Sequence, residues 1–175
     1  MPQYIRAFVP GGTFFFRVTL LERRRKLLTE NIDKLREVFK AGRQRQPFTI
    51  EAMVILPDHL HCIWTLPSGD ADFSARWHDI KARFAAQISG GERLSPRRLQ
   101  KGERGVWQRR FWEHLIRDEG DYERHLDYIL YHPVKHGQVA RVADWPYLSF
   151  HRFVEGGLYN LEWGAEDNVR SLEME

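Results

Sequence analysis

Two alternating runs meet around one Pro-Asp pair, and nothing else in the chain restricts its fold so strongly. Phe48, Ile50, Ala52, Val54 and Leu56 take every second place, with Thr49 and Glu51 between them. Pro57-Asp58 is a turn signal. His59 to Leu66 then alternates again: Leu60, Cys62, Trp64 and Leu66 on one face, His59, His61, Ile63 and Thr65 on the other. A period of two belongs to a strand, and two such runs this close predict an antiparallel hairpin. A lone hairpin is marginal in water, so the rest of the chain must supply more strands and a cover.

The flanking segments do so. Thr13 to Leu20, rich in Phe, Val and Thr, reads as a strand after Gly11-Gly12. Leu28, Ile32, Leu35 and Phe39 recur at helical spacing, predicting a helix over 27–42 with Thr29 as cap and Gly42 as stop. Phe73, Trp77, Ile80 and Phe84 mark a second helix, with Asp72 as its cap. Val106 to Ile116 carries Val, Trp and Phe and reads as a strand, and Asp118 to His132 as a third helix ended by Pro133. The order β-α-β-β-α-β-α predicts an α+β domain with a ferredoxin-like antiparallel sheet flanked by helices. At 175 residues one domain is expected.

Composition excludes several classes. Hydrophobic residues are 42% and charged residues 29%, which does not fit a disordered chain or a collagen. A single Cys rules out an intrachain disulfide. No apolar run approaches the ~20 residues of a spanning helix, and Met1 to Arg6 lacks the layout of a signal peptide. These features point to a cytoplasmic protein without membrane contact. The net charge is only +3, but it is uneven. Residues 76–110 hold ten Lys/Arg against three Asp/Glu, and residues 22–45 nine against four, whereas 155–175 hold one against six. Basic stretches beside an acidic tail suggest a polyanion, with nucleic acid first. A solvated basic helix face gives the same count.

The chemistry concentrates in two places. His59 and His61 are two apart on a strand and project to one face, where two imidazoles can hold one divalent ion. Two ordinary surface histidines give the same pattern. On the third helix Tyr122, Leu126, Ile129 and Pro133 form the core stripe, so Tyr122 is a packing residue. His125, Tyr128 and His132 share an edge away from that stripe, at i, i+3 and i+7. A tyrosine beside metal-bound phosphate is a possible nucleophile; a surface tyrosine needs no function. Glu113 and His114 read first as sheet-edge residues supporting a site.

These segments resemble, in order, those of the REP-associated tyrosine transposases, relatives of the single-tyrosine transposases within the HUH endonuclease group. The matching pieces are Pro10-Gly11-Gly12-Thr13-Phe14-Phe15-Phe16, Leu56-Pro57-Asp58-His59-Leu60-His61-Cys62-Ile63-Trp64, Phe111-Trp112-Glu113-His114, His125-Leu126-Asp127-Tyr128-Ile129, Pro133-Val134-Lys135-His136-Gly137 and Asp144-Trp145-Pro146-Tyr147. The resemblance implies a catalytic domain over 1–150 and an acidic tail over 151–175 packed on it or extending from it. It implies cleavage and joining of single-stranded DNA at REP-type palindromic hairpins through a 5′-phosphotyrosine, with Mg²⁺ or Mn²⁺. Tyr128 matches the nucleophile and His59 and His61 the metal pair. Relatives usually place Asn where this chain has His132, so an imidazole stands at the third ligand position and favours softer ions such as Mn²⁺. Pro133 is expected to pull His132 out of helical geometry. Arg6, Gly11, Gly12, Arg97, Arg98, Lys101, Arg104, Arg109, Arg110, Lys135 and His136 are candidate DNA contacts. Monomer and homodimer are both compatible with the sequence. A non-catalytic hairpin-binding module for DNA or RNA with a ferredoxin-like fold is the alternative, and a phosphodiesterase using water a third.

Overall fold

The computed structural model describes residues 7–88, 95–102 and 104–164; Arg6 and the end of the acidic tail lie outside the described residues. Strands β1 (Thr13–Thr19), β2 (Thr49–Ile55), β3 (His59–Thr65) and β4 (Trp112–Leu115) form one sheet in the order β2-β3-β1-β4, with every neighbouring pair antiparallel. This is the strand order of a split β-α-β unit, as the element order predicted. Helices α1 (Leu27–Glu30) and α2 (Ile32–Arg45) join β1 to β2. Helices α3 (Phe73–Gln87) and α4 (Pro96–Gln100) lead from β3 towards β4. Helix α5 (Glu119–Lys135), a short 3-10 turn (Val142–Asp144) and α6 (Phe150–Glu155) complete the chain. Among the described residues no helix is long and apolar enough to cross a membrane.

The sheet is covered on both faces. On one, Phe14, Phe16, Val18, Leu60, Cys62 and Trp64 pack against Leu35, Val38 and Phe39 of α2 and Phe73, Trp77, Ile80 and Phe84 of α3. On the other, Phe15, Ala52, Val54 and Ile63 pack against Leu126, Ile129 and Leu130 of α5 and Phe150 and Phe153 of α6. Alternation along β1 and β3 therefore sorts residues between two cores.

Several expectations are corrected. Phe48 and Ile50 do not share a face with Ala52, Val54 and Leu56: the β2–β3 register slips between Ile50 and Ala52, and Phe48 and Ile50 join the α2/α3 side. One extra residue in a bulge moves everything beyond it to the opposite face. Thr29 lies inside α1, and α2 begins after Asn31. Gly42 is not a stop but a close approach: a Cβ there would stand 3.2 Å from Ile80 Cγ1, so the missing side chain lets α2 press on α3. The last strand is only Trp112–Leu115. Upstream of it, the Trp107 indole donates to the Lys81 carbonyl at 3.0 Å and draws that segment onto α3. The predicted loop over 89–105 contains α4, with 89–94 and 103 outside the described residues.

Asp72 caps α3 as predicted, accepting from the Ala75 amide at 2.9 Å. Arg76, in its first turn, is buried. Its guanidinium makes contacts of 3.0 and 2.7 Å with Asp70 and also donates to the carbonyls of Gln46, Pro47 and Asp72. One side chain thus ties the start of α3 to the end of α2.

Candidate active site

The α5 side of the sheet carries the histidines. His59 and His61 are 4% and 0% exposed, which excludes two surface histidines. His132 reaches them from α5 and is itself 0% exposed. Its Nε2 lies 2.8 Å from Nε2 of His59 and 3.1 Å from Nε2 of His61. His132 is helical despite Pro133. The helix continues to Lys135, with the His136 amide on the His132 carbonyl at 3.0 Å and the Gln138 amide on the Pro133 carbonyl at 2.9 Å. A proline inside a helix costs roughly 3 kcal/mol; here Ile129, Leu130, Tyr131 and Pro133 are all buried, and that packing holds the helix through it.

A cation fits this geometry. The His59 Nδ1 is 2.8 Å from Asp58 Oδ1. A carboxylate only accepts, so Nδ1 carries the proton and Nε2 presents a lone pair. The single Nε2 of His132 cannot donate to both partners at once, so the pure hydrogen-bond arrangement leaves lone pairs opposed. Nitrogens bound about 2.1 Å from one ion stand ~3.0–3.4 Å apart at tetrahedral or octahedral angles, close to the spacings of His132 from His59 and from His61; the trio whose ligand nitrogens all lie within 4.8 Å of one another is His59, His132 and His136, and His61 joins it through His132. The His132 Nδ1 is buried without a hydrogen-bond partner among the described residues. His136, although exposed, brings a ring nitrogen within 4.8 Å of those of His59 and His132 and is a further possible ligand.

Electrostatics keep the cluster neutral, the state in which imidazole binds metal. Burial, reinforced by His132, His59 and Arg17, holds His61 well below the usual histidine range. Burial, with His59, His136, Lys135 and Arg17, pushes His132 down to about 2. His59 is lowered by burial, against the opposing pull of Asp58. Burial alone would raise the Asp58 carboxyl; hydrogen bonds from His59 and Arg23 outweigh it and hold the group below its ordinary value. The Arg23 guanidinium sits 2.8 Å from Asp58 Oδ2. The chain Arg23–Asp58–His59 orients the first imidazole, as carboxylates behind metal-bound histidines do.

Tyr128 is packed into this cluster. Its ring centroid lies 5.3 Å from that of His61 and 4.9 Å from that of His132. It is only 2% exposed, which corrects the expectation of an edge away from the core. The helical-wheel stripe assumes one buried face, whereas α5 is enclosed by the sheet and by residues 139–163. Lys135 Nζ stands 5.2 Å over the Tyr128 ring. Lys135 and His136 are thus brought together with Tyr128 and the three histidines.

Other predicted residues lie elsewhere. Gly11 and Gly12 precede the Thr13 end of β1, whereas His59 pairs with Thr19 at its other end, about 20 Å away at ~3.3 Å per residue. Their amides are engaged within the fold, on the carbonyls of Asp70 (2.8 Å) and Val9 (3.0 Å). Arg97 and Lys101 are exposed on or beside α4, and Arg109 and Arg110 are exposed just before β4. Arg104 serves the fold itself, donating to the carbonyls of Ala85 and Ile88 at 2.8 and 3.0 Å and covering the end of α3. Arg98 donates to the Arg104 carbonyl at 3.4 Å.

Sequence reasoning missed Asp58 and Arg23 as partners of His59, and a second cluster. His114 Nε2 is 2.9 Å from Asp121 Oδ2, and His125 Nδ1 is 3.1 Å from Asp121 Oδ1. This cluster does not suit a metal. The His125 Nδ1 also donates to the Asp121 carbonyl at 2.7 Å, so that nitrogen holds a proton. The rings of His114 and His125 stack 4.5 Å apart at 16°, so their in-plane lone pairs run side by side. The arrangement fastens the first turn of α5 to β4, and so fixes the base on which Tyr128 stands. Two histidines flanking an Asp four residues before the second of them were the available signal.

No family model matches the chain. It is 46% identical over 166 residues to the REP-associated tyrosine transposase of Escherichia coli (strain K12), spanning 95% of this chain and 93% of that one. A Haemophilus influenzae protein given the same family name is 43% identical over 171 residues, 97% of each chain. Among solved structures, a REP-associated tyrosine transposase bound to a REP hairpin superposes with a TM-score of 0.82 at 44% identity, covering 100% of this chain and 98% of that one. On this near-complete likeness in sequence and fold, the chain belongs to the family of REP-associated tyrosine transposases.

Proposed function

We propose that this protein is a metal-dependent transposase that cuts and rejoins single-stranded DNA next to REP-type hairpins through a 5′-phosphotyrosine on Tyr128. The observation that carries the reading is the packing of Tyr128 between His61 and His132, whose Nε2 atoms are 3.1 Å apart. The hairpin as partner rests on the solved relative, which was captured on one. His59, His61 and His132 would hold Mg²⁺ or Mn²⁺, with His136 beside them, and such an ion polarises a phosphate oxygen.

The chain's own residues do the rest. The Tyr128 oxygen forms the new bond to phosphorus as the bond from phosphorus to the 3′ oxygen breaks. The DNA leaves with a free 3′-hydroxyl, and a second strand's 3′-hydroxyl reverses the step with the tyrosine as leaving group. A free tyrosine has a pKa near 10 and needs positive surroundings to ionise. Lys135 over its ring supplies one such charge. Asp58 fixes the tautomer of His59, and the neutral imidazoles keep their lone pairs available.

The test is a labelled palindromic hairpin with single-stranded flanks, incubated with Mn²⁺ or EDTA and resolved on a denaturing protein gel. Wild type is expected to form a metal-dependent adduct that Tyr128→Phe abolishes. Cleavage persisting in Tyr128→Phe would replace this reading with hydrolysis by water. Tight hairpin binding with no cleavage of any flank sequence would make the protein a binding module.

A further inference from the structure

One row across the sheet runs from the site to solvent. Arg17 on β1 stands opposite His61 on β3 and opposite Trp112 on β4. Directly opposed residues of antiparallel strands project to the same face, a few ångströms apart. All three side chains therefore lie on the α5 face. His61 is sealed, Arg17 is half-buried and Trp112 is 46% exposed. Among the described residues Trp112 is the one large aromatic ring of the sheet that meets solvent: Phe14, Phe15, Phe16 and Trp64 are all buried. Helix α5 crosses the neighbouring row, touching Phe15 through His125 and Tyr128, one row away from Trp112. Arg109 and Arg110, both exposed, lead directly to it.

A large apolar ring on an open edge strand is a liability for a protein that has no use for it. Its neighbours suggest the use. A guanidinium one strand away binds phosphate in a planar, two-pronged manner, and an indole face stacks a base of any sequence. Strands lie about 4.8 Å apart, so Trp112 is roughly two strand spacings from His61, the reach of one nucleotide.

We propose that Arg17 and Trp112 form a one-nucleotide platform: Arg17 holds the phosphate presented to Tyr128, and Trp112 stacks the adjacent base of the single-stranded flank. The proposal rests on the strand-transfer reading of the site and deepens it. It adds a positioning residue and a base-stacking residue to the reaction without assigning either to the covalent step.

The experiment compares wild type, Trp112→Ala, Trp112→Phe and Arg17→Ala for binding to a hairpin with a single-stranded flank and to the same hairpin without one. Trp112→Ala is expected to weaken binding of the flanked hairpin about tenfold or more, the range of lost base stacking, and to leave the bare hairpin unchanged. Trp112→Phe should restore most of it. One abasic position in the flank should cost wild type the same factor and cost Trp112→Ala nothing further. Arg17→Ala should shallow the salt dependence for the flanked hairpin by about one phosphate contact. Equal losses on both hairpins, or no loss in Trp112→Ala, would overturn the platform. If wild type binds the flank through Trp112 but forms no adduct, the platform stands and strand transfer falls.

Discussion

The two faces of the sheet share strands but not chemistry. On the α2/α3 face Trp64 stacks on Trp77 with centroids 4.2 Å apart and meets Phe48 at a tilt, 4.0 Å between centroids, and Phe16 packs edge-on to both tryptophans. On the α5 face the neighbouring residues of β3 are His59, His61 and Ile63, pressed against Tyr128 and His132. Burying neutral rings against each other stabilises the fold outright. Burying imidazoles is favourable only when something satisfies their nitrogens. The first face therefore acts as scaffold, and the second spends part of that stability to hold polar groups close together.

The largest expected effect breaks the scaffold. Trp64→Ala removes a fully buried indole from between Trp77 and Phe48. Such truncations cost about 3–5 kcal/mol, or roughly 6–20 °C of melting temperature in a domain of this size. Tyr128→Phe, on the other face, should abolish the covalent adduct while moving the melting temperature little. A melting curve for each variant checks the division; a small shift in Trp64→Ala would show that the aromatic face is not what holds the sheet.

Next in size is the response to metal. An ion that binds only the folded state stabilises it by about 2.7 kcal/mol at a hundred times its dissociation constant. Wild type should melt several degrees higher in Mn²⁺ than in EDTA. His61→Ala and His132→Ala should lose that gain, and His132→Asn, which restores a polar donor, should keep part of it. An undiminished Mn²⁺ shift in His132→Ala would remove His132 from the ligand set. Smaller again is Asp58→Asn. The amide can still accept from His59 Nδ1 but no longer carries the charge that opposes burial of the ring. Mn²⁺ affinity should fall about 10- to 100-fold, the usual cost of losing a partner behind a ligand, with the melting temperature in EDTA nearly unchanged. Isothermal titration decides it.

What could be read from the sequence follows from periodicity. The hairpin, the two amphipathic helices and the antiparallel order were visible because alternation and 3.6-residue spacing are local properties. The pairing of His59 with His61 was visible for the same reason. Their complete burial was not: it depends on α5 crossing the sheet, a long-range event. The bulge at Ile50 hid behind an unbroken alternation, since a register slip leaves no residue-type mark in Thr49 to Leu56. Pro133 read as a terminator because its local cost is real, and packing of its neighbours overrode it. Asp58 was read only as a turn residue, although its position before His59 is what lets it reach Nδ1.

The smallest predicted effect concerns the far edge of the scaffold and its dependence on acid. Asp70 is pulled down to about 2, chiefly by its hydrogen bonds from Arg76, helped by the Asp72 amide. A carboxyl lowered on folding adds stability that is complete above its unfolded value near 4 and disappears as pH falls towards 2. The side chain is 35% exposed, so solvent screening limits the contribution to about 1 kcal/mol or less. Asp70→Asn should lower stability slightly at pH 7 and flatten the part of the stability curve between pH 4 and 2. Arg76 keeps its three backbone carbonyls and so does not become an orphaned charge. Adduct formation at neutral pH should not change, because this ion pair serves the α2/α3 face alone. If Asp70→Asn instead slowed the reaction, the two faces would be coupled, and the division between scaffold and site would have to be redrawn through the sheet they share.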